Sequence, residues 1–215
     1  MPGRRSTQFA SLVAAVVACA VLLSACGSSG FHYVKSSEDK TYFKVPSNWK
    51  LYDNDALFEA AKADMTAADL ESARQNQWAA IFDAHPKPAL SHVTSRSPSF
   101  PVGRALVEKI SAEAADGVSL SSLRNLFYNI DTKVQNETAT VLTYEPVERD
   151  GGFHGSHLVA TLKSSKGESV LNQITLLDQA TSKVYAIAIK CSTKCYEKNK
   201  SKIEQVIDSW TVKAD

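Results

Sequence analysis

The last third of the chain is built on a period of two. Thr138–Val147 alternates apolar and polar positions and is rich in Thr, Val and Tyr, His157–Lys163 alternates again, and Val170–Leu177 and Lys183–Lys190 follow. Asp150-Gly151-Gly152 and Ser164-Ser165-Lys166-Gly167 supply turn residues between these runs. Short strands joined by tight turns predict an antiparallel meander. Val184 to Ile189 is apolar on both alternating sets, the mark of a central strand covered on both faces. The period then changes. Tyr196, Ile203, Val206, Ile207 and Trp210 recur at helical spacing, and Thr211-Val212 reads as a short closing strand.

The first half mixes both periods. Thr41–Val45 is a β-branched and aromatic run stopped by Pro46, and Trp49–Tyr52 resumes a short strand. Asp53 or Asp55 is placed to cap a helix striped by Leu57, Ala61 and Met65. Thr66, with Asp69 three residues on, starts a second helix. Trp78–Phe82 is strand-like. Residues 85–101 hold four prolines, several serines and His92, and predict a long loop. Val102–Ile110 fits strand and helix equally. Leu120, Leu123, Leu126 and Phe127 predict a helix over Ser119–Asn129, capped by Ser119. The fold class is therefore α+β, a central, mostly antiparallel sheet covered by helices in a single domain.

The amino terminus has a different character. Arg4 and Arg5 precede an apolar stretch of about fifteen residues, shorter than the roughly 20 that cross a bilayer as a helix. A basic front, a short apolar core and small residues at its end make an export signal. Leu23-Ser24-Ala25-Cys26 resembles the lipobox of bacterial lipoproteins. That resemblance implies cleavage after Ala25 and diacylation of Cys26, which would hold the chain on the outer face of a membrane, since two acyl chains anchor firmly where one does not. The expected organisation is a signal peptide over 1–25, a lipidated cysteine and flexible tether over 26–37, and the folded domain over 38–215.

Charge and cysteine content then sharpen the picture. The 215 residues carry 24 Lys+Arg and 23 Asp+Glu. Loss of the signal removes two arginines and no acid, so the mature chain is slightly acidic. Such a balance disfavours a nucleic-acid partner, which calls for a clearly basic surface. Of four cysteines, Cys19 leaves with the signal and Cys26 takes the lipid. Cys191 and Cys195 remain, an even pair in an exported domain, read first as a disulfide, then as free thiols, and last as metal ligands lacking two further partners.

Two segments carry a family resemblance. Tyr42-Phe43-Lys44-Val45-Pro46-Ser47-Asn48-Trp49 and Ile203-Glu204-Gln205-Val206-Ile207-Asp208-Ser209-Trp210-Thr211-Val212 resemble the superfamily of the photosystem II subunit PsbP and of the nuclear-import factor that releases nucleotide from Ran. Exported bacterial lipoproteins are similar too, among them actinobacterial, mycobacterial LpqN-type ones. The resemblance implies a PsbP-like α/β/α sandwich. It carries no partner-binding residues position by position, and fold alone does not specify function.

No catalytic signature is present: no Gly-x-Ser-x-Gly elbow, no Gly-rich phosphate loop, no His-Glu-x-x-His. His154 and His157 are the candidate metal pair, but at three residues apart a regular strand places them on opposite faces unless Gly155 introduces a bulge. Asp53, Asp55, Asp64, Asp69 and Glu71 read as caps and a solvated face. Lys190, Lys194, Lys198, Lys200 and Lys202 form a basic cluster around the cysteine pair, read as a solvated helix face or as a contact for anionic lipid or wall polymer. The expectation is a non-enzymatic, membrane-anchored envelope lipoprotein without metal or cofactor. Its partners would be the membrane, through Cys26, and an envelope protein or other component. The alternatives are a carrier of a small apolar ligand and an enzyme with an unrecognised site.

Overall fold

The computed structural model describes residues 30–214. The proposed signal peptide and Cys26 lie outside the described residues.

Seven strands form the main sheet. They are β3 (Lys50–Tyr52), β4 (Gln77–Asp83), β5 (Val102–Lys109), β6 (Ala139–Arg149), β7 (Phe153–Ser164), β8 (Gly167–Leu177) and β9 (Lys183–Ser192). Their order is β3-β4-β5-β9-β8-β7-β6, with every neighbouring pair antiparallel. β1 (Phe31–Ser36), β2 (Thr41–Pro46) and β10 (Thr211–Val212) make a second, three-stranded sheet in the order β1-β2-β10. The helices are α1 (Asn54–Ala61), α2 (Ala67–Asn76), α3 (Ala112–Ala115), α4 (Leu120–Arg124), α5 (Ile130–Gln135) and α6 (Thr193–Asp208).

β9 explains the layering. Its odd positions Tyr185, Ile187, Ile189 and Cys191 join one core with Ile203, Val206, Ile207 and Trp210 from α6 and its end, and with Val34, Phe43 and Val45 from the small sheet. On the other parity Ala188 packs with Ile130 of α5, and Val184 with Leu123 of α4. The strand is thus buried on both faces, as its unbroken apolar run requires. The α6 stripe at 203, 206 and 207 is the same logic at helical period; each such side chain contributes about 1.5–3 kcal/mol by leaving water. The helix starts follow the sequence. Asp53 accepts from Ala56 N, Thr66 from Asp69 N, and Ser119 from Ser122 N, each satisfying a backbone donor that the first turn leaves open.

Three segments differ from their sequence reading. Residues 31–36, taken as part of a tether, form β1, paired with β2 from Phe31↔Pro46 to Ser36↔Thr41. Val34 and Ser36 face inward while Tyr33 stays exposed, so a short edge strand follows directly on the Gly/Ser run. Val102–Lys109, readable both ways, is strand β5, with Val102, Ala105 and Val107 buried between β4 and β9. The helix expected over Ser119–Asn129 stops at Arg124. Asn125 Nδ2 donates to Asp131 Oδ2 at 2.7 Å and Asp131 N donates back to Asn125 Oδ1 at 3.0 Å. Those bonds close a turn, and within it Asn129 caps the separate α5.

Candidate functional site

An open groove of about 670 Å³ lies on the α6 side of the main sheet. β6, β7 and β8 give its floor and α6 one wall. The alternation of β7 sends His157, Val159 and Thr161 to this side, and cross-strand register sets Glu145 and Thr143 of β6 beside His157 and Val159. On the other flank Asn172 of β8 pairs with Val159. Helical spacing on α6 turns Tyr196, Lys200, Glu204 and Ile207 toward the same space.

A polar chain crosses the floor. His157 Nδ1 lies 3.2 Å from Glu145 Oε1, and its Nε2–H donates to Asn172 Oδ1 at 2.9 Å. Asn172 Nδ2 donates to the Tyr196 hydroxyl at 3.1 Å. Asn172 is 3% exposed, so both ends of its amide are satisfied by protein. Burial pushes the Tyr196 phenol up from its ordinary value, keeping it a neutral hydroxyl. The chain holds the imidazole at both ring nitrogens. Glu145, Glu197, Glu204 and Asp208 line the groove against a single lysine, Lys200, whose Nζ is 3.6 Å from Glu204. Leu142 stands at the rim, 58% exposed, at the point where the register between β6 and β7 shifts. The groove is therefore amphipathic, with an acidic rim.

The residues singled out in the sequence disperse. β7 runs in unbroken register against β8, so Gly155 introduces no bulge and His154 and His157 face opposite sides. Gly155 serves close approach instead: a Cβ there would overlap the carbonyl oxygen of Thr175. Among the described residues no group of three or more His, Cys, Asp or Glu is arranged to hold a metal. Asp53 and Asp69 act at helix starts, and Glu71 accepts from Gln75. Cys191 and Cys195 are joined as a disulfide across the β9–α6 junction, Cα atoms 5.8 Å apart. Both sulfurs sit in the core.

The basic cluster divides in two. Lys194, Lys198, Lys200 and Lys202 are exposed on α6. Lys190 belongs to the other face of β9 and is 5% exposed, its Nζ 4.4 Å from the Tyr128 ring centroid. Arg104 lies on that same face, 3.8 Å from the Phe127 ring. Burial, then the neighbouring Arg104 and Lys133 charges, hold the Lys190 ammonium down to about 8. The separation comes from strand parity, which charge counting along the sequence ignores. Glu145, Asn172 and Tyr196, far apart in the chain, carry no motif; pairing register alone brings them together.

The family model of PsbP matches residues 29–212. The chain belongs to the PsbP family, and its fold is the PsbP-like α+β sandwich of a single domain. Among solved structures it is similar to cyanobacterial PsbP from Synechocystis sp. PCC 6803, at 13% identity over 88% of this chain and 96% of that one, TM-score 0.45. It is similar to the Ran-binding protein Mog1p of Saccharomyces cerevisiae, at 11% identity over 86% and 96%, TM-score 0.41. It is also similar to LpqN of Mycobacterium tuberculosis, described as involved in cell envelope biogenesis, at 10% identity over 86% and 91%, TM-score 0.38. No curated protein matches the sequence.

Proposed function

We propose that the protein is a lipid-anchored, non-enzymatic binding module of a bacterial envelope, and that its groove receives a basic segment of an envelope protein. The observation that carries this is the groove itself. An apolar and hydroxyl-bearing floor offers contact area, and the rim of Glu145, Glu197, Glu204 and Asp208 selects positive charge. Held by the Glu145–His157–Asn172–Tyr196 chain, the floor is pre-organised, which lowers the ordering cost of binding. The lipobox supports the anchor: Cys26 carries the diacylglycerol, and the short segment before Phe31 keeps the domain beside the membrane.

The space between sheet and helices is filled by side chains such as Ile187, Ile189, Ile203 and Val206, each at 0% exposure. A small apolar ligand would have to use the same groove. Native mass spectrometry of gently purified protein separates the two readings. Free protein favours the binding module, and a co-purifying lipid or metabolite favours the carrier. Membrane fractionation tests the anchor: a Cys26→Ala variant is expected in the soluble fraction, and its retention on membranes after a salt wash would contradict the anchor.

A further inference from the structure

β6 stands at one end of the seven-strand order, so one of its two edges has no neighbouring strand. Natural sheets keep such edges short, charged or covered, because a row of open N–H and C=O groups recruits another strand. This edge belongs to a strand of 11 residues, and Val141, Leu142 and Tyr144 along it are exposed. Hydrogen-bond parity identifies its open groups. Lys163 N donates to Thr138 O at 2.8 Å, so the odd positions of β7 bond toward β6. The tight hairpin that pairs Ser164 with Gly167 turns the even positions toward β8. Glu145 and Val147 stand opposite His157 and Gly155, and their backbone groups are therefore spent on β7. Tyr144, Pro146 and Glu148 alternate with them and turn their backbone outward. Pro146 suits that place, since it has no N–H to give to a ladder. Among the described residues nothing bonds to the Tyr144 backbone, the Pro146 carbonyl or the Glu148 N–H. The Glu148 carbonyl accepts from the adjacent Arg149 guanidinium at 3.1 Å.

We propose that the basic partner segment binds as an added strand on the outer edge of β6, with every second side chain entering the groove; this rests on the groove reading above. The faces of β6 fit that arrangement. Thr143 and Glu145 line the groove, while the Tyr144 hydroxyl donates to Leu120 O at 3.3 Å on the opposite face. A strand beside β6 lays alternate side chains next to Glu145, on the side where α6 presents Glu197 and Glu204. Lysine or arginine at those positions meets the acidic rim and sets specificity, and main-chain bonds to Tyr144, Pro146 and Glu148 supply affinity. A second copy of β6 is the poorer match. It would bring Glu145 and Glu148 to an edge that already carries both, and like charges paired across strands are destabilising.

The test is residue-resolved amide hydrogen exchange on the full chain, read by nuclear magnetic resonance. The probe is a synthetic peptide as long as β6 that alternates Lys and Val. At saturation the Tyr144 and Glu148 amides are expected to exchange at least about 10-fold more slowly. The Glu145 and Val147 amides, already bonded to β7, should change little. An E145K/E197K variant, shown to be folded by circular dichroism, should lose the peptide. Binding that needs Glu145 and Glu197 but leaves the Tyr144 and Glu148 amides unchanged overturns the added strand and leaves the groove reading standing. Absence of binding by the Lys–Val peptide overturns both. Slow exchange of these two amides in the free chain, together with a dimer in sedimentation, assigns the edge to a second copy and also overturns the proposal.

Discussion

Trp210 donates its indole Nε1–H to the hydroxyl of Thr41 at 2.8 Å, a buried bond between positions 169 apart in sequence. Thr41 opens β2 and Trp210 follows α6, so this bond ties the start of the domain to its end. β10 extends the tie, pairing Thr211 with Tyr42 and Val212 with Thr41. The last helix is thereby clamped between the main sheet and the small one, and the wall of the groove is fixed. Trp210→Phe keeps most of the ring and leaves Thr41 without this donor, which should cost about 1–2 kcal/mol. Trp210→Ala removes the ring from the core and should cost about 3–5 kcal/mol. Urea unfolding reads both; an unchanged midpoint for the alanine variant would contradict the clamp.

Gly155 gives a second test, because its role is steric. β7 and β8 meet so closely there that any Cβ collides with the Thr175 backbone. Gly155→Ala, which on strand propensity alone should be neutral or stabilising, is expected to destabilise by several kcal/mol. A variant as stable as the parent would mean that the strands can separate at this point without penalty.

Lys190 makes stability depend on pH in a defined window. Its ammonium is held down to about 8, chiefly by burial and then by Arg104 and Lys133. The unfolded chain binds this proton up to its ordinary value near 10.4. Between these values the unfolded state holds more protons, so stability rises with pH from about 8 to 10. Below 8 both states are charged and the folded state carries the full cost. Lys190→Met should therefore stabilise the protein at pH 7, by roughly 1–3 kcal/mol. Relative to the parent, it should also flatten the rise between pH 8 and 10. Parallel pH–stability curves for parent and variant would show that the lysine is not penalised.

The disulfide closes a loop of very few residues, so the chain-entropy gain from it is modest. Replacing both cysteines by alanine is expected to lower stability by about 1–3 kcal/mol while the domain still folds. Mass spectrometry with and without reductant counts the bridge directly. Loss of folding in the double variant would assign Cys191 and Cys195 a larger part in the core than loop closure gives.

Local patterns in the sequence were sufficient for the elements whose burial is repetitive. β9 declares itself by apolar residues on both parities, α6 by Ile203, Val206 and Ile207, and the helix starts by Asp53, Thr66 and Ser119. What depended on pairing was not readable. β1 is six residues beside a Gly/Ser run, and nothing local distinguishes it from tether until β2 supplies its hydrogen bonds. The stop at Arg124 depends on an Asn125–Asp131 side-chain exchange. Glu145, His157, Asn172 and Tyr196 converge through two strand registers and a helix rotation. Lys190 and Lys194 look like neighbours in one basic cluster, yet strand parity sends Lys190 to the far face. His92 was visible as a residue in a proline-rich loop, but its link to Asp83 exists only once that loop folds back.

The most direct test of the groove is site-specific photocrosslinking in intact cells. A photoreactive residue at Leu142 samples the groove rim, and one at Val134 of α5 samples a surface outside it, 43% exposed. A discrete protein adduct from position 142, absent from position 134 and lost when Glu145 and Glu197 are changed to Lys, is the expected result. Equal adducts from both positions, or an adduct at 142 that survives the charge reversal, would contradict a basic segment bound in the groove.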